Sequence, residues 1–376
     1  LGAPALTSPL RTARRRAVLR GAADRPKSLA TMRIHHLNCA TMCPFGGHLM
    51  GRPEPGLGPA RMTCHCLLVE TDRDGLVLVD TGLGTADVAR PEERLSRFFL
   101  ALMRPRLDLA ETAREQVAAL GFSPRDVRHV VLTHLDFDHA GGLADFPEAT
   151  VHLLADEVAA ARRRTTWIER GRYRPRQWTP EPSWQTYGPG GDEWFGFRCV
   201  RDLVGLPPEL LLVPLPGHTL GHTGVAVRTL GGWLLHAGDA YSYRDEIDPE
   251  APTCPLGLRA YQAFMEADRA ARLANQGRLR ELVRSHGGDV RVLCSHDAAL
   301  FEAFAGRAVH ERAPHVRLVR GSPSPEVRRR GAPRGRPDTR RSAPREAAPV
   351  PSREARAAPR TGRRAGRPRT GPRGPP

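Results

Sequence analysis

The sequence predicts a mixed α/β fold in which helices cover paired β-sheets. Apolar strand patterns come first and then alternate with helical patterns, in two roughly similar halves. Polar residues suited to metal binding recur just beyond the ends of five predicted strands. With 376 residues, the chain is long enough for one large domain or two ordinary ones.

The predicted elements divide at a Trp-rich segment, residues 167–197, which holds four of the five Trp residues with repeated Pro and Gly. We expect this segment to be a long ordered loop that either walls a substrate pocket or packs on the core. The first half contains strands at 62–70, 76–80, 130–132 and 151–154 and helices at 108–120 and 156–164. The second half contains strands at 211–215, 225–227, 233–236 and 290–294 and a helical segment at about 257–285.

The net charge of +16 is concentrated in two flanking segments. Residues 321–376 contain 16 Arg against 4 acidic residues, and residues 1–31 contain 7 basic residues against 1 acidic residue. The segment between them is therefore close to neutral, and it shows no basic face of the kind that binds nucleic acid.

These patterns divide the chain into three parts. We expect a disordered N-terminal extension at 1–31, a folded domain at 32–306 and a disordered tail rich in Arg, Pro, Gly and Ala at 307–376. Met32 is a candidate natural start. The tail is a candidate for weak nucleic-acid binding. The alternatives are an inert tail and a reading-frame extension in a GC-rich gene.

The seven Cys residues are an odd number, and neither a signal peptide nor a membrane-spanning run is recognisable. We therefore expect a protein of the reducing cytoplasm that does not enter a membrane. Cys39, Cys43, Cys64 and Cys66 are spaced closely enough to suggest a structural zinc site. Their spacing differs from that of a zinc ribbon, so buried free thiols are the favoured interpretation.

The densest chemical signal follows the apolar run at 130–132. His134, Asp136, Asp138 and His139 place four metal-binding side chains within six residues. Imidazole and carboxylate groups suit zinc or another borderline divalent metal. In an extended loop the side chains of His134, Asp136 and Asp138 point one way, and the turn brings His139 beside them. This arrangement supplies enough ligands for two neighbouring metal ions. A plain polar loop is the alternative.

Four other predicted strands end in a candidate polar residue, and with the 134–139 cluster they form an ordered series. This series resembles the five motifs of the metallo-β-lactamase superfamily, over about Met32 to Phe304. The resemblance implies a four-layer αββα sandwich, classed as α/β or in some schemes as α+β. The four further positions are Asp80, His218, Asp239 and His296.

The resemblance also implies a role for each residue at two divalent metal ions. The first ion would be held by His134, Asp136 and His218, the second by Asp138, His139 and His296, and both by the bridging Asp239. Two residues would orient the ligands without binding metal, namely Asp80 and His222.

One position departs from the family pattern. Most members carry His where this chain has Asp136. Aspartate still binds zinc, but its charge and its oxygen ligand favour harder metals. Zinc is therefore the first expectation, with manganese and iron as alternatives.

The resemblance implies a hydrolase in which a metal-bound hydroxide attacks a carbonyl group. Asp138 is expected to carry a proton to the leaving group. Tyr241 and Tyr243 are candidate donors to the developing negative charge, with ordinary packing or surface tyrosines as the alternative. The apolar segment at 98–103 would line a pocket for an acyl or aromatic group, or else form a buried helix.

The arrangement looks most like the N-acyl-homoserine lactonases, so the expected substrate is a small molecule, either a lactone or a carboxylic ester. Asp239 stands where the commonest β-lactamases have Cys, which disfavours an antibiotic substrate. Four alternatives stay open: a thioester hydrolase of the glyoxalase II kind, an iron-dependent persulfide dioxygenase, a phosphodiesterase and a non-catalytic binding protein. The intact ligand set disfavours the last, and the oligomeric state is not predicted.

Overall fold

Two six-stranded β-sheets form the centre of the structure, a computed structural model that describes residues 32–52 and 55–305. The expectations for residues 1–31 and for the tail from 307 lie outside the described residues. No helix in the described part of the chain is both long enough and apolar enough to cross a membrane.

The first sheet has the strand order β1-β2-β3-β4-β5-β6. Its first three strands are antiparallel, and β3 to β6 are parallel. β2 and β3 are buried along almost their whole length because both faces of this sheet are covered. The strands are β1 (Arg33–Met42), β2 (Met62–Glu70), β3 (Leu76–Val79), β4 (Val127–Val131), β5 (Thr150–Leu154) and β6 (Ser183–Tyr187).

The second sheet has the order β12-β11-β10-β9-β8-β7 and is antiparallel except for the parallel pair β11 and β12. Its strands are β7 (Asp192–Trp194), β8 (Phe197–Asp202), β9 (Leu210–Pro214), β10 (Thr223–Thr229), β11 (Gly232–His236) and β12 (Val290–Leu293).

Ten α-helices lie within the described residues. They are α1 (Thr85–Ala89), α2 (Pro91–Arg94), α3 (Arg97–Met103), α4 (Ala113–Ala119), α5 (Phe137–Ala140), α6 (Ala155–Arg163), α7 (Trp167–Arg172), α8 (Leu256–Met265), α9 (Arg269–His286) and α10 (Ala298–Ala305).

The core has the layers expected of a sandwich. Val79 of the first sheet and Leu212 of the second belong to one buried cluster between the sheets, and Leu279 of α9 packs into the same cluster. On the other face of the first sheet, Leu78 packs with Val117 of α4. Apolar residues on both faces of each sheet drive this stacking. The predicted four-layer α/β sandwich is confirmed.

The segment at 167–197 is not the long loop that we predicted, because it contains α7, β6 and β7. β6 pairs in parallel with β5, and Tyr187 is its one buried residue, so the strand has no alternating apolar pattern. Trp194 packs between the sheets, whereas Trp167 is 64% exposed. The Trp-rich segment therefore serves mostly as sheet and core.

Two predicted helices are divided. The segment at 257–285 forms α8 and α9, and Asp268 caps α9 by accepting a hydrogen bond from the Ala271 amide. The segment at 108–120 forms a short 3-10 helix and then α4, which Thr112 caps in the same way. In both cases a capping side chain fixes an extended backbone where we predicted continuous helix.

Candidate metal centre

The candidate ligands lie in loops that follow strands of both sheets. Asp80 follows β3 and the 134–139 loop follows β4, while His218, Asp239 and His296 follow β9, β11 and β12. Because these loops meet at one edge of the sandwich, residues that are far apart in sequence become neighbours in space.

Three of the predicted ligands form what we call the first donor set, His134, Asp136 and His218. Their ligand atoms all lie within 4.8 Å of one another. Asp136 Oδ2 is 3.5 Å from His134 Nε2 and 3.1 Å from His218 Nε2. The structure thus brings together the three side chains that the resemblance assigned to one ion.

The other predicted ligands adjoin this set. His139 Nε2 is 3.4 Å from Asp239 Oδ1, and His134 completes a second close group with these two residues. His296 Nε2 is 3.1 Å from Asp239 Oδ2 and 3.7 Å from Asp138 Oδ2. All seven residues predicted as ligands are therefore gathered in one buried cluster.

Cys64 also reaches this cluster, beside Asp138 and His296. We had interpreted it as a buried thiol without a role at the site. All seven cysteines are free. In the described part of the chain, Cys39 and Cys43 belong to no group of potential metal ligands, so the four-cysteine zinc site is not formed there.

Several buried atoms of the cluster fit a divalent cation. His134 Nε2, His139 Nε2 and Asp239 Oδ1 are buried and lack any hydrogen-bond partner. Buried polar atoms without a partner are costly and rare. Imidazole nitrogen and carboxylate oxygen are ordinary zinc ligands, so a metal ion would satisfy all three.

Hydrogen bonds at Nδ1 of His134, His139 and His296 direct the Nε2 atom of each of these rings toward the cluster. When Nδ1 carries the proton and donates it, Nε2 keeps the lone pair that a metal requires. The three bonds run from His134 Nδ1 to Thr133 Oγ1 (2.9 Å), from His139 Nδ1 to Asp80 Oδ2 (2.9 Å) and from His296 Nδ1 to the Thr63 carbonyl (2.7 Å).

Asp80 supports the cluster from outside, as the resemblance implied. Its Oδ1 accepts the Thr133 amide and its Oδ2 accepts the Thr133 hydroxyl, each at 2.7 Å, besides the bond from His139. Its φ of 56° lies in the left-handed region, which is uncommon for a residue other than glycine. Such strain is typical of functional sites, where the surrounding bonds hold it.

His222 also faces away from the metal-binding atoms. Its Nδ1 donates to the Leu215 carbonyl and its Nε2 accepts the Asp239 amide, both at 2.9 Å. The adjacent Gly238 has φ 54°, and a Cβ there would lie 2.6 Å from His222 Nε2. His222 therefore positions the backbone of Asp239 and has no lone pair left for a metal ion.

The imidazoles and carboxylates of the cluster shift one another's pKa values. Despite burial, the carboxylates of Asp239 and Asp80 raise the pKa of His139 well above its ordinary value. The imidazoles of His296 and His139 in turn hold the pKa of Asp239 well below its usual range. Asp138 differs, because burial raises its pKa and Asp239 adds to the effect.

Arg172, a residue that sequence reasoning missed, lies against the first donor set. Its Nη2 is 2.8 Å from Asp136 Oδ2 and 2.9 Å from His218 Nε2. Its Nη1 donates to the carbonyls of His218 and Met265, both at 3.0 Å. Although burial alone would raise it, the pKa of Asp136 is held well below its usual range by Arg172.

Two further contacts tie the loops together. Glu157 of α6, which is fully buried, accepts the Leu135 amide at 3.0 Å and the Thr219 hydroxyl at 2.7 Å. At the break between α8 and α9, the Ala267 amide donates to the Gly217 carbonyl at 2.9 Å. The loop of His218 is thus fixed from two sides.

The two candidate tyrosines lie in different surroundings. Tyr241 is fully buried in the core between the sheets, and the Arg244 guanidinium lies 4.6 Å from the centre of the Tyr243 ring. The donor role that we predicted for them stays a prediction. A third tyrosine, Tyr261 of α8, has its pKa raised by burial and then by the charge of Asp138.

Comparisons with known proteins address the family to which the chain belongs. The sequence profile described as the metallo-beta-lactamase superfamily matches residues 60–291. Probable metallo-hydrolases of Mycobacterium bovis and Mycobacterium tuberculosis are each 42% identical over 271 residues, which cover 72% of this chain and 82% of the relative. An N-acyl homoserine lactonase of Bacillus cereus is 24% identical over 219 residues, which cover 58% of this chain and 75% of the lactonase.

A solved structure supports the same fold. An N-acyl homoserine lactone hydrolase with N-hexanoyl-L-homoserine bound at its catalytic metal centre has a TM-score of 0.55 and 21% identity, covering 73% of this chain and 97% of that one. The profile match and the 42% identical relatives extend this likeness from the fold to the family. This chain belongs to the metallo-beta-lactamase superfamily and is a metallo-hydrolase.

Proposed function

We propose that the protein opens a lactone or cleaves a carboxylic ester. The observation that carries this proposal is the convergence of three unpartnered buried donor atoms, His134 Nε2, His139 Nε2 and Asp239 Oδ1. A divalent ion held by these residues would activate water and polarise the substrate carbonyl. Zinc fits these imidazole donors best, with manganese and iron as the alternatives.

Asp138 is the residue that we assign to proton transfer. Its side chain is 13% exposed, against 6% for Asp136 and 9% for Asp239, so it has the best access to a substrate. Burial raises the pKa of its carboxyl group. A carboxylate beside the reacting oxygen can accept a proton and return it to the leaving oxygen.

An exposed aromatic patch supports an apolar group on the substrate. Phe98, Trp167 and Phe264 are 52%, 64% and 39% exposed, and Phe264 lies within 5.8 Å of Phe98 and 5.5 Å of Trp167, measured between ring centres. Trp167 begins the helix that Arg172 ends, and Phe264 shares α8 with Tyr261. Such a patch beside a polar site suits an acyl chain.

A substrate screen tests the proposal. We expect acyl-homoserine lactones and aryl esters to be hydrolysed faster than thioesters or phosphodiesters, and we expect a chelator to abolish the activity. Trp167→Ala should raise KM for long acyl chains more than for short ones, whereas Trp184→Ala, in β6, should not. Activity confined to phosphodiesters or thioesters, or oxygen uptake with a persulfide, would overturn the proposal.

A further inference from the structure

The first donor set does not fit a metal ion of its own. His218 Nε2 lies between a group that can only donate, Arg172 Nη2 at 2.9 Å, and a carboxylate that can only accept, Asp136 Oδ2 at 3.1 Å. Whether this nitrogen accepts a hydrogen bond from Arg172 or donates its proton to Asp136, it keeps no free lone pair for a metal ion. The same Nη2 is 2.8 Å from Asp136 Oδ2.

The first donor set keeps few free ligand atoms. Asp136 Oδ1 is buried without a partner, and His134 Nε2 is shared with the group of His139 and Asp239. An ion in the first donor set would therefore have two ligand atoms from the set itself, whereas catalytic zinc sites in proteins use three. The third close group, Cys64, Asp138 and His296, adjoins the group of His139 and Asp239, because His296 Nε2 is 3.1 Å from Asp239 Oδ2, so one ion can serve both groups.

The Arg172 side chain is also held in this position by burial and by hydrogen bonds. Its side chain is 2% exposed, and two backbone carbonyls accept hydrogen bonds from its Nη1 while Asp136 accepts from its Nη2. The helix that carries it starts with a capping box between Thr166 and Glu169. A metal ion in the first donor set would have to displace a buried cation whose counterion is Asp136.

We propose that the Arg172 guanidinium is the resident cation of the first donor set, and that the protein binds one metal ion per chain, beside His139 and Asp239. Arg172 is a positioning residue, since it holds Asp136 and His218 and is too buried to contact substrate. This inference rests on the proposed metal-dependent function but not on the identity of the substrate.

The metal content of the full-length protein tests the inference directly. After removal of metal with a chelator, reloading with excess zinc and desalting, we expect about one zinc per chain by mass spectrometry. Titration with cobalt should saturate its visible absorption at one equivalent, with the electron paramagnetic resonance signal of an isolated high-spin ion. Two equivalents, or a signal lost through coupling between two cobalt ions, would overturn the inference.

Matched variants sharpen this test. Arg172→Ala frees the lone pair of His218 and should raise the zinc content toward two per chain. Arg174→Ala removes a guanidinium that donates to the Arg94 carbonyl outside the site, so it should leave one zinc per chain. If Arg172→Ala does not fold, the cobalt titration of the unaltered protein still decides the question.

The metal content tests the role of Arg172, and the substrate screen tests the proposed substrate, so either proposal can fail without the other. One zinc per chain without lactone or ester hydrolysis would support the role of Arg172 and overturn the proposed substrate. Two zinc ions per chain with rapid lactone hydrolysis would do the reverse.

Discussion

Two buried histidines in this protein, His139 and His152, show opposite behaviour. At the cluster, the carboxylates of Asp239 and Asp80 raise the pKa of His139 well above its ordinary value. Elsewhere in the interior, burial and the neighbouring His129 lower the pKa of His152 to about 4. The first imidazole has an unpartnered Nε2, whereas His152 is bonded on both sides, to His129 at 3.0 Å and to the Tyr187 hydroxyl at 2.8 Å.

The difference shows what makes a buried histidine a metal ligand. Burial alone produces a neutral ring that finds partners among its neighbours. A ligand needs an oxygen atom that fixes Nδ1 and a second nitrogen that nothing in the protein satisfies. The oxygen atoms around a buried imidazole therefore indicate a metal ligand better than the number of histidines in the sequence does.

The largest expected effect comes from removing a cluster imidazole. His139→Ala should lose the metal ion and almost all turnover, well beyond the 10–100-fold that loss of an orienting partner typically costs. Metal analysis and kcat/KM check this. His152→Ala is the matched control from the interior, which should lower stability while leaving the metal content unchanged. Full metal loading of His139→Ala would contradict the assignment.

Asp136→His tests the one position of the cluster at which this chain departs from the family pattern. The change recreates the usual family ligand but leaves the guanidinium of Arg172 buried without its counterion. Such a loss typically costs about 3–5 kcal/mol, and we expect the free energy of unfolding to fall by that order in urea titrations. The double variant Asp136→His with Arg172→Met should recover most of it. An unchanged stability for Asp136→His alone would show that the ion pair matters little.

Asp80→Asn weakens the orientation of a ligand without removing one. The amide can no longer offer two acceptor oxygens to Thr133 and His139, so we expect metal affinity or kcat/KM to fall by roughly 10–100-fold. Competition with a chromogenic chelator measures the affinity. Asp145→Asn, which alters a carboxylate bonded to Thr85 in α1, serves as a control and should leave the affinity unchanged.

The smallest effect concerns the pH dependence of stability. Because His152 stays neutral in the folded protein down to about pH 4, the unfolded chain takes up its proton first as the pH falls below the ordinary value of 6.5. Stability should therefore fall across that window, by at most about 1.4 kcal/mol per pH unit from this residue. Urea unfolding at pH 7 and pH 5 should show a shallower loss for His152→Gln. Equal losses would mean that the ring is not kept neutral.

The fold and the gathering of the candidate ligands at one edge could be predicted because their signals are local. Each ligand follows an apolar strand within a few residues, and strand ends in a sandwich meet at one edge. The divided helices also had a local signal, since Thr112 and Asp268 are ordinary capping residues. We overlooked them because the apolar pattern continues on both sides.

Arg172 and Cys64 could not be found in this way. Arg172 lies in a segment without a clear hydrophobic period, and its partners are 36 and 46 positions away. Cys64 lies in a strand that is buried on both faces, so its sequence context is the same as that of Cys66. Tertiary packing alone selects which of these side chains reaches the cluster.

The ion pair of Asp136 and Arg172 links the ligand loop to the crossover between β5 and β6, a region that ligand motifs do not cover. Neither residue can change alone without leaving a buried charge unbalanced. The pair should therefore be inherited as a unit: relatives with Asp at the first position should keep Arg at the second, and those with His should lose it. Members of the superfamily could then be sorted by the residue in this crossover as well as by their ligands.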